Sequence, residues 1–93
     1  MPGLNGSNLK TFTVKFDGGV PQTISLGSGL LFAYSIGGQL VELYGIDYWS
    51  SKTELIFHGQ NRLLTAISKS ANSSEVSLTT SSTRSMRFLF LGE

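Results

Sequence analysis

The chain contains no cysteine and a single histidine, His58. The first absence excludes disulfides and thiolate metal sites. The second leaves too few ligands for a His-based zinc site, since structural zinc takes four. Charge is also scarce: 14% of residues are charged, against roughly 25% in an average globular domain. The seven basic and six acidic residues are scattered and sum to +1. Without a basic stripe, nucleic acid is not an expected partner. No apolar run approaches the ~20 residues of a membrane helix, so membrane insertion is not expected. No cationic start followed by an apolar run marks a signal peptide, so synthesis in a cytosol is expected. Segments with apolar residues at three-and-four spacing are missing too, which argues against helices.

What fills the chain is hydroxyl and glycine. Ser and Thr make up about a quarter of the 93 residues, and there are 11 glycines. Gly or Ser clusters punctuate the sequence every ten residues or so, the pattern of short β-strands joined by tight turns. Residues 1–8, "MPGLNGSN", read as a flexible N-terminal arm. Residues 9–93 read as one domain. "KTFTVKF" (10–16) alternates cleanly, with Phe12, Val14 and Phe16 on one face. Asp17-Gly18-Gly19 reverses the chain, because glycine takes positive φ freely. "VPQTISL" (20–26) follows with Ile24 and Leu26 inward, and Pro21 assigns it to an edge or a bulge. "LLFAYSI" (30–36) is apolar on both faces and so is expected to be covered on both sides. Gly37-Gly38 suits a hairpin turn. "QLVELYGIDYW" (39–49) returns, with Gly45 marking a bulge or a close backbone approach. "TELIFH", "RLLTAIS", "EVSLTT" and "SMRFLFL" complete about eight strands. The expected fold is all-β, an antiparallel β-sandwich or jelly-roll-like arrangement. Phe12, Val14, Leu30, Phe32, Phe57, Phe88 and Phe90 are its expected packing residues.

Catalytic signatures are poor. A Ser–His–acid triad has components in His58, Asp47 and Glu54, but no local signature joins them. "GSG" at 27–29 is not a nucleophile elbow. Asp47 with Glu42 or Glu54 as a glycosidase pair needs a cleft that so small a domain seldom has; Glu42 and Glu54 are expected on outward strand faces. The glycine turns precede no helix that could hold phosphate. The chain therefore reads as a non-enzyme, with no catalytic residue, cofactor or metal expected. The aromatic stretch "LYGIDYWS" offers a ligand or interface surface instead: Tyr44, Asp47, Tyr48 and Trp49, with His58 and Asn61. Rings there could stack on a sugar or meet another subunit, since Tyr and Trp are enriched at interfaces.

The closing strand carries the interface question. "SMRFLFLGE" places Met86, Phe88 and Phe90 on one face and Arg87, Leu89 and Leu91 on the other. Exposed, such a strand invites aggregation, so it belongs in the middle of a sheet or between subunits. A domain this small buries only about 60–65% of its unfolded surface, and oligomerisation is one way to add burial. Arg84, Arg87, Phe88, Leu89 and Leu91 are the expected oligomer contacts. The glycine-punctuated pair "GSGLLFAYSIGGQLVELYGIDYW", the polar stretch "SKSANSSEVSLTTSS" and the closing "RFLFLGE" together resemble the small β modules of tailed-phage and prophage virion proteins, of fibre, baseplate or decoration type. That resemblance, over residues 27–93, implies a sandwich or jelly roll that trimerises or packs in rings in the virion. It implies other virion proteins as partners, a cell-surface glycan as a further one, and no catalytic residues. The alternative from the residues themselves is a stand-alone carbohydrate-binding module centred on Tyr44, Asp47, Tyr48 and Trp49.

Overall fold

The computed structural model describes residues 9–35, 41–59 and 64–92. The expected arm, the Gly37-Gly38 turn and Asn61 lie outside the described residues. Eight strands follow in order: β1 Leu9–Phe16, β2 Gln22–Ser25, β3 Gly29–Ser35, β4 Val41–Ile46, β5 Thr53–His58, β6 Leu64–Lys69, β7 Glu75–Thr80 and β8 Arg84–Gly92. All pairs are antiparallel, in a five-stranded sheet ordered β1-β8-β3-β4-β5 and a three-stranded sheet ordered β2-β7-β6. The first two strands pair with the last two, β1 with β8 and β2 with β7, while β3, β4 and β5 form a meander. The expected all-β sandwich is present. β2, led by Pro21, is an edge strand, where a missing N–H leaves no ladder bond unmade.

One core joins the two sheets. Phe16, Leu31, Ala33, Tyr44, Met86, Phe88 and Phe90 come from the larger sheet, and Leu64, Val76 and Leu78 from the smaller. Phe12 stacks on Phe88 with ring centroids 5.3 Å apart, and Phe16 meets the same ring edge-on at 6.2 Å. The alternation of β8 holds as expected: Met86, Phe88 and Phe90 are fully buried. Phe88 is therefore consumed inside its own domain and is removed from the expected subunit contacts.

Two glycines are required by packing. Gly29 and Gly92 sit opposite each other where β3 pairs with β8, and a Cβ on either would lie 2.7 Å from the other's Cα. Gly19, at φ 77°, completes the turn in which Val20 N–H donates to Asp17 C=O at 3.0 Å. Gly45 differs from expectation. The ladder irregularity lies between Leu43 and Tyr44, where Ile56 is the extra residue on β5, and a Cβ on Gly45 would find only ordinary contacts, the nearest Ile56 Cδ1 at 3.5 Å.

Three expected packing residues point the other way. Leu30, Phe32 and Phe57 lie on the outer face of the large sheet, in register with Leu91, Leu89 and Leu43. Phe32, Ile56 and Phe57 are 40, 50 and 56% exposed. β3 is thus covered on one side by the domain and open on the other, because a three-stranded sheet can cap only one face of a five-stranded one. Glu42 is also reversed. It faces inward opposite Ala33 and is fully buried; only Glu54 takes the expected outward position. Glu42 Oε1 accepts from Leu64 N–H at 2.9 Å and from the Tyr44 hydroxyl at 3.1 Å. Leu64 belongs to the other sheet, so this carboxyl group ties the layers together.

Candidate functional site

The turn between β4 and β5 is the most heavily constrained loop among the described residues. Its four residues, Asp47 to Ser50, close with Ser50 N–H donating to Asp47 C=O at 3.1 Å, the i to i+3 bond of a β-turn. Asp47 Oδ1 accepts from Trp49 N–H at 3.1 Å, an Asx turn that explains why Asp begins the reversal. Ser28, just before β3, adds a brace: its hydroxyl accepts from Tyr48 N–H at 2.8 Å and donates to Asp47 Oδ1 at 3.5 Å.

The strongest brace comes from the other sheet. Lys69, at the end of β6, donates through Nζ to Tyr48 C=O at 3.1 Å, to Ser70 C=O at 2.7 Å and to Ser50 C=O. An ammonium has three donors and no acceptor, so these three carbonyls satisfy it. Tyr48 C=O also accepts from Ser73 N–H at 3.3 Å. On this fixed turn Trp49 is 71% exposed and meets the Tyr48 ring edge-on, with centroids 4.9 Å apart.

Beside the turn is an open depression of about 690 Å³, within the ~300–1,000 Å³ typical of small-ligand sites. Leu30 and Gly45 contribute apolar lining, and Asp47, Ser50, Lys52 and Glu54 contribute polar groups.

The structure brings together part of the expected surface set. Asp47, Tyr48 and Trp49 share the turn. Tyr44 does not join them: it is fully buried, pointing into the core beside Glu42. His58 is exposed at the end of β5, and its Nδ1–H donates to Gly59 C=O at 2.6 Å, which is a strand-end role. Of the expected oligomer contacts, Leu89 and Leu91 line the outer sheet face, with Arg87 on the same face between Thr13 and Tyr34. Arg84 is held by Ser82, whose Oγ accepts from Nε at 3.2 Å and from Nη2 at 2.9 Å.

Residue reading missed Ser28 and Lys69, which fix the turn from 20 and 21 positions away, a separation that no local pattern encodes. It also missed Lys52 as a neighbour of Asp47, and weighed Glu54 beside Asp47 only as a catalytic pair. The available signal there was Gly45, a glycine inside a strand, which by sequence reads as a bulge or a close backbone approach. No family model, curated protein or solved structure shows a significant match to this chain.

Proposed function

We propose that this chain is a non-enzymatic structural module of phage-virion type that self-associates through the outer face of its five-stranded sheet, as a trimer. The observation that carries the reading is the apolar stripe of Phe32, Leu43, Ile56, Phe57 and Leu89. Taking roughly 200 Å² per large side chain, the exposures of Phe32, Ile56 and Phe57 leave about 300 Å² uncovered. With the half-buried leucines, the stripe reaches the few hundred Å² at which a patch marks an interaction site. Burying 300 Å² is worth roughly 7 kcal/mol before the costs of association.

Another copy of the same chain suits this face by charge. Arg87 lies toward one end and Glu54 toward the other, with the leucines and phenylalanines between. Copies arranged head to tail about a three-fold axis, with this face turned inward, bring the basic end of one against the acidic end of the next, so polar rims pair around an apolar centre. The test is mass in solution. Phe57→Asp and Leu89→Asp should yield folded monomers, whereas a wild-type chain already monomeric at micromolar concentration would refute the reading.

The exposed Trp49 favours a second reading, attachment to a carbohydrate. The turn that carries the ring is pinned at both ends, so its backbone is ordered before any ligand arrives, which lowers the cost of binding.

A further inference from the structure

Gly45 is a glycine without a structural reason. It lies inside β4, where a residue without a side chain weakens the strand. Its φ is not positive. The bulge is elsewhere, between Leu43 and Tyr44. A Cβ placed on it would meet Ile56 Cδ1 at 3.5 Å and Glu54 Cβ at 3.8 Å, both comfortable contacts. Gly29 and Gly92, by contrast, cannot carry a Cβ without collision. What the missing side chain does accomplish is to open the outer sheet face: Gly45 lies between Leu30 on β3 and Glu54 on β5, and all three line the depression.

We infer that this depression is a saccharide-binding site whose floor is kept open by Gly45, with Asp47, Glu54, Lys52 and Ser50 contacting the ligand's hydroxyls. The inference rests on the attachment reading and moves its site from the aromatic surface around Tyr44 to the depression beside Trp49. The chemistry of the lining selects the ligand class. Leu30 and the bare backbone of Gly45 give an apolar floor for the C–H face of a pyranose ring. Carboxylates accept from hydroxyls, while Lys52 and Ser50 can donate to ring and hydroxyl oxygens. Two carboxylates against one ammonium disfavour an anionic ligand. A purely apolar ligand would strip water from those charged groups without replacing its hydrogen bonds. A neutral polyhydroxylated ring meets all three demands. The site is at one end of the sheet, next to the turn, so assembly through Phe32, Leu43 and Phe57 leaves it at the rim.

Trp49 is the sole tryptophan and adjoins Ser50, which lines the depression, so its emission reports on the turn beside the site. The experiment titrates the full chain with neutral oligosaccharides built from glucose, galactose and mannose, following Trp49 fluorescence and saturation-transfer NMR. The expected result is saturable binding of at least one of them. Gly45→Val, which fills the floor and suits a strand, should weaken it about ten-fold or more with an unchanged or raised melting temperature. Glu54→Gln, at an exposed position, should weaken it several-fold with no change in fold. Saccharide binding that survives Gly45→Val unaltered would place the site elsewhere and overturn the inference while leaving the attachment reading intact. Absence of binding by any saccharide would overturn both. Tighter binding of arginine amide than of any sugar, lost in Glu54→Gln, would reassign the depression to cationic side chains.

Discussion

Replacing Glu42 should be among the most damaging single changes on β4. Its Oε1 is the acceptor for two buried donors, the Leu64 N–H and the Tyr44 hydroxyl. Glu42→Leu keeps the volume and removes the acceptor. A buried donor left unsatisfied costs about 1–3 kcal/mol, so two such groups put the loss at roughly 2–6 kcal/mol. A 93-residue domain has a total stability of about 5–14 kcal/mol, and the variant would approach the edge of folding. Glu42→Gln retains an amide oxygen in nearly the same place and should cost about 1 kcal/mol or less. Glu42→Ala adds a cavity to the lost bonds and should rank worst. Urea unfolding followed by far-ultraviolet circular dichroism, at one fixed protomer concentration because association adds to apparent stability, measures the ranking. With a slope near ~1.5 kcal/mol per molar urea, a loss of about 3 kcal/mol lowers the midpoint by about 2 M. A Glu42→Leu midpoint within about 0.3 M of wild type, or a Glu42→Gln midpoint as low as that of Glu42→Leu, would refute the idea that this carboxyl group ties the sheets.

Three other outcomes follow from the same geometry. Gly92→Ala should lower stability by about 1–3 kcal/mol through overpacking against Gly29, whereas Gly45→Ala should be neutral or better; thermal melts of the pair compare a glycine required by packing with one that is not. Lys69→Met should loosen the 47–50 turn, leaving Ser50 C=O to water and Tyr48 C=O with Ser73 N–H alone, and should lower the fluorescence anisotropy of Trp49 with a stability loss of about 1–3 kcal/mol. Phe88→Asp should abolish the folded circular dichroism signal, because it places a charge in the core, while Leu89→Asp, one residue on and facing outward, should leave that signal intact.

Much of the fold was legible because the period of a strand is two. The clean alternation in β1 assigned Phe12 and Val14 to the core without any knowledge of pairing, and Phe88 and Phe90, on one face of β8, were expected there with them. The same rule failed where both faces of a strand are apolar. In β3, Leu30 and Phe32 are as hydrophobic as Leu31, and nothing local states that the opposing sheet covers only one side. Phe57 failed for a related reason: Ile56 is an extra residue opposite the Leu43/Tyr44 step, so counting by twos along β5 loses its phase there. Glu42 defied the expectation that a lone carboxylate faces water, because its compensating donor, Leu64, comes from 22 residues away on the other sheet. The candidate site was half legible. Asp47, Tyr48 and Trp49 form one turn and were seen together, whereas Ser28 and Lys69 converge on it through the neighbouring strand and cross-sheet contact. Gly45 was noticed as unusual, but its role as open floor depends on the outer neighbours that only the pairing of β3, β4 and β5 provides.

In the proposed assembly, further copies of this chain cover the outer face of the five-stranded sheet. Size-exclusion chromatography with multi-angle light scattering tests it most directly, applied to wild type and Phe57→Asp at micromolar concentration. The account predicts a wild-type mass that is a whole multiple of the 10.0 kDa protomer, three-fold by preference, and a folded Phe57→Asp protein at the protomer mass. A well-folded wild-type monomer across that range, indistinguishable in mass from Phe57→Asp, would contradict it.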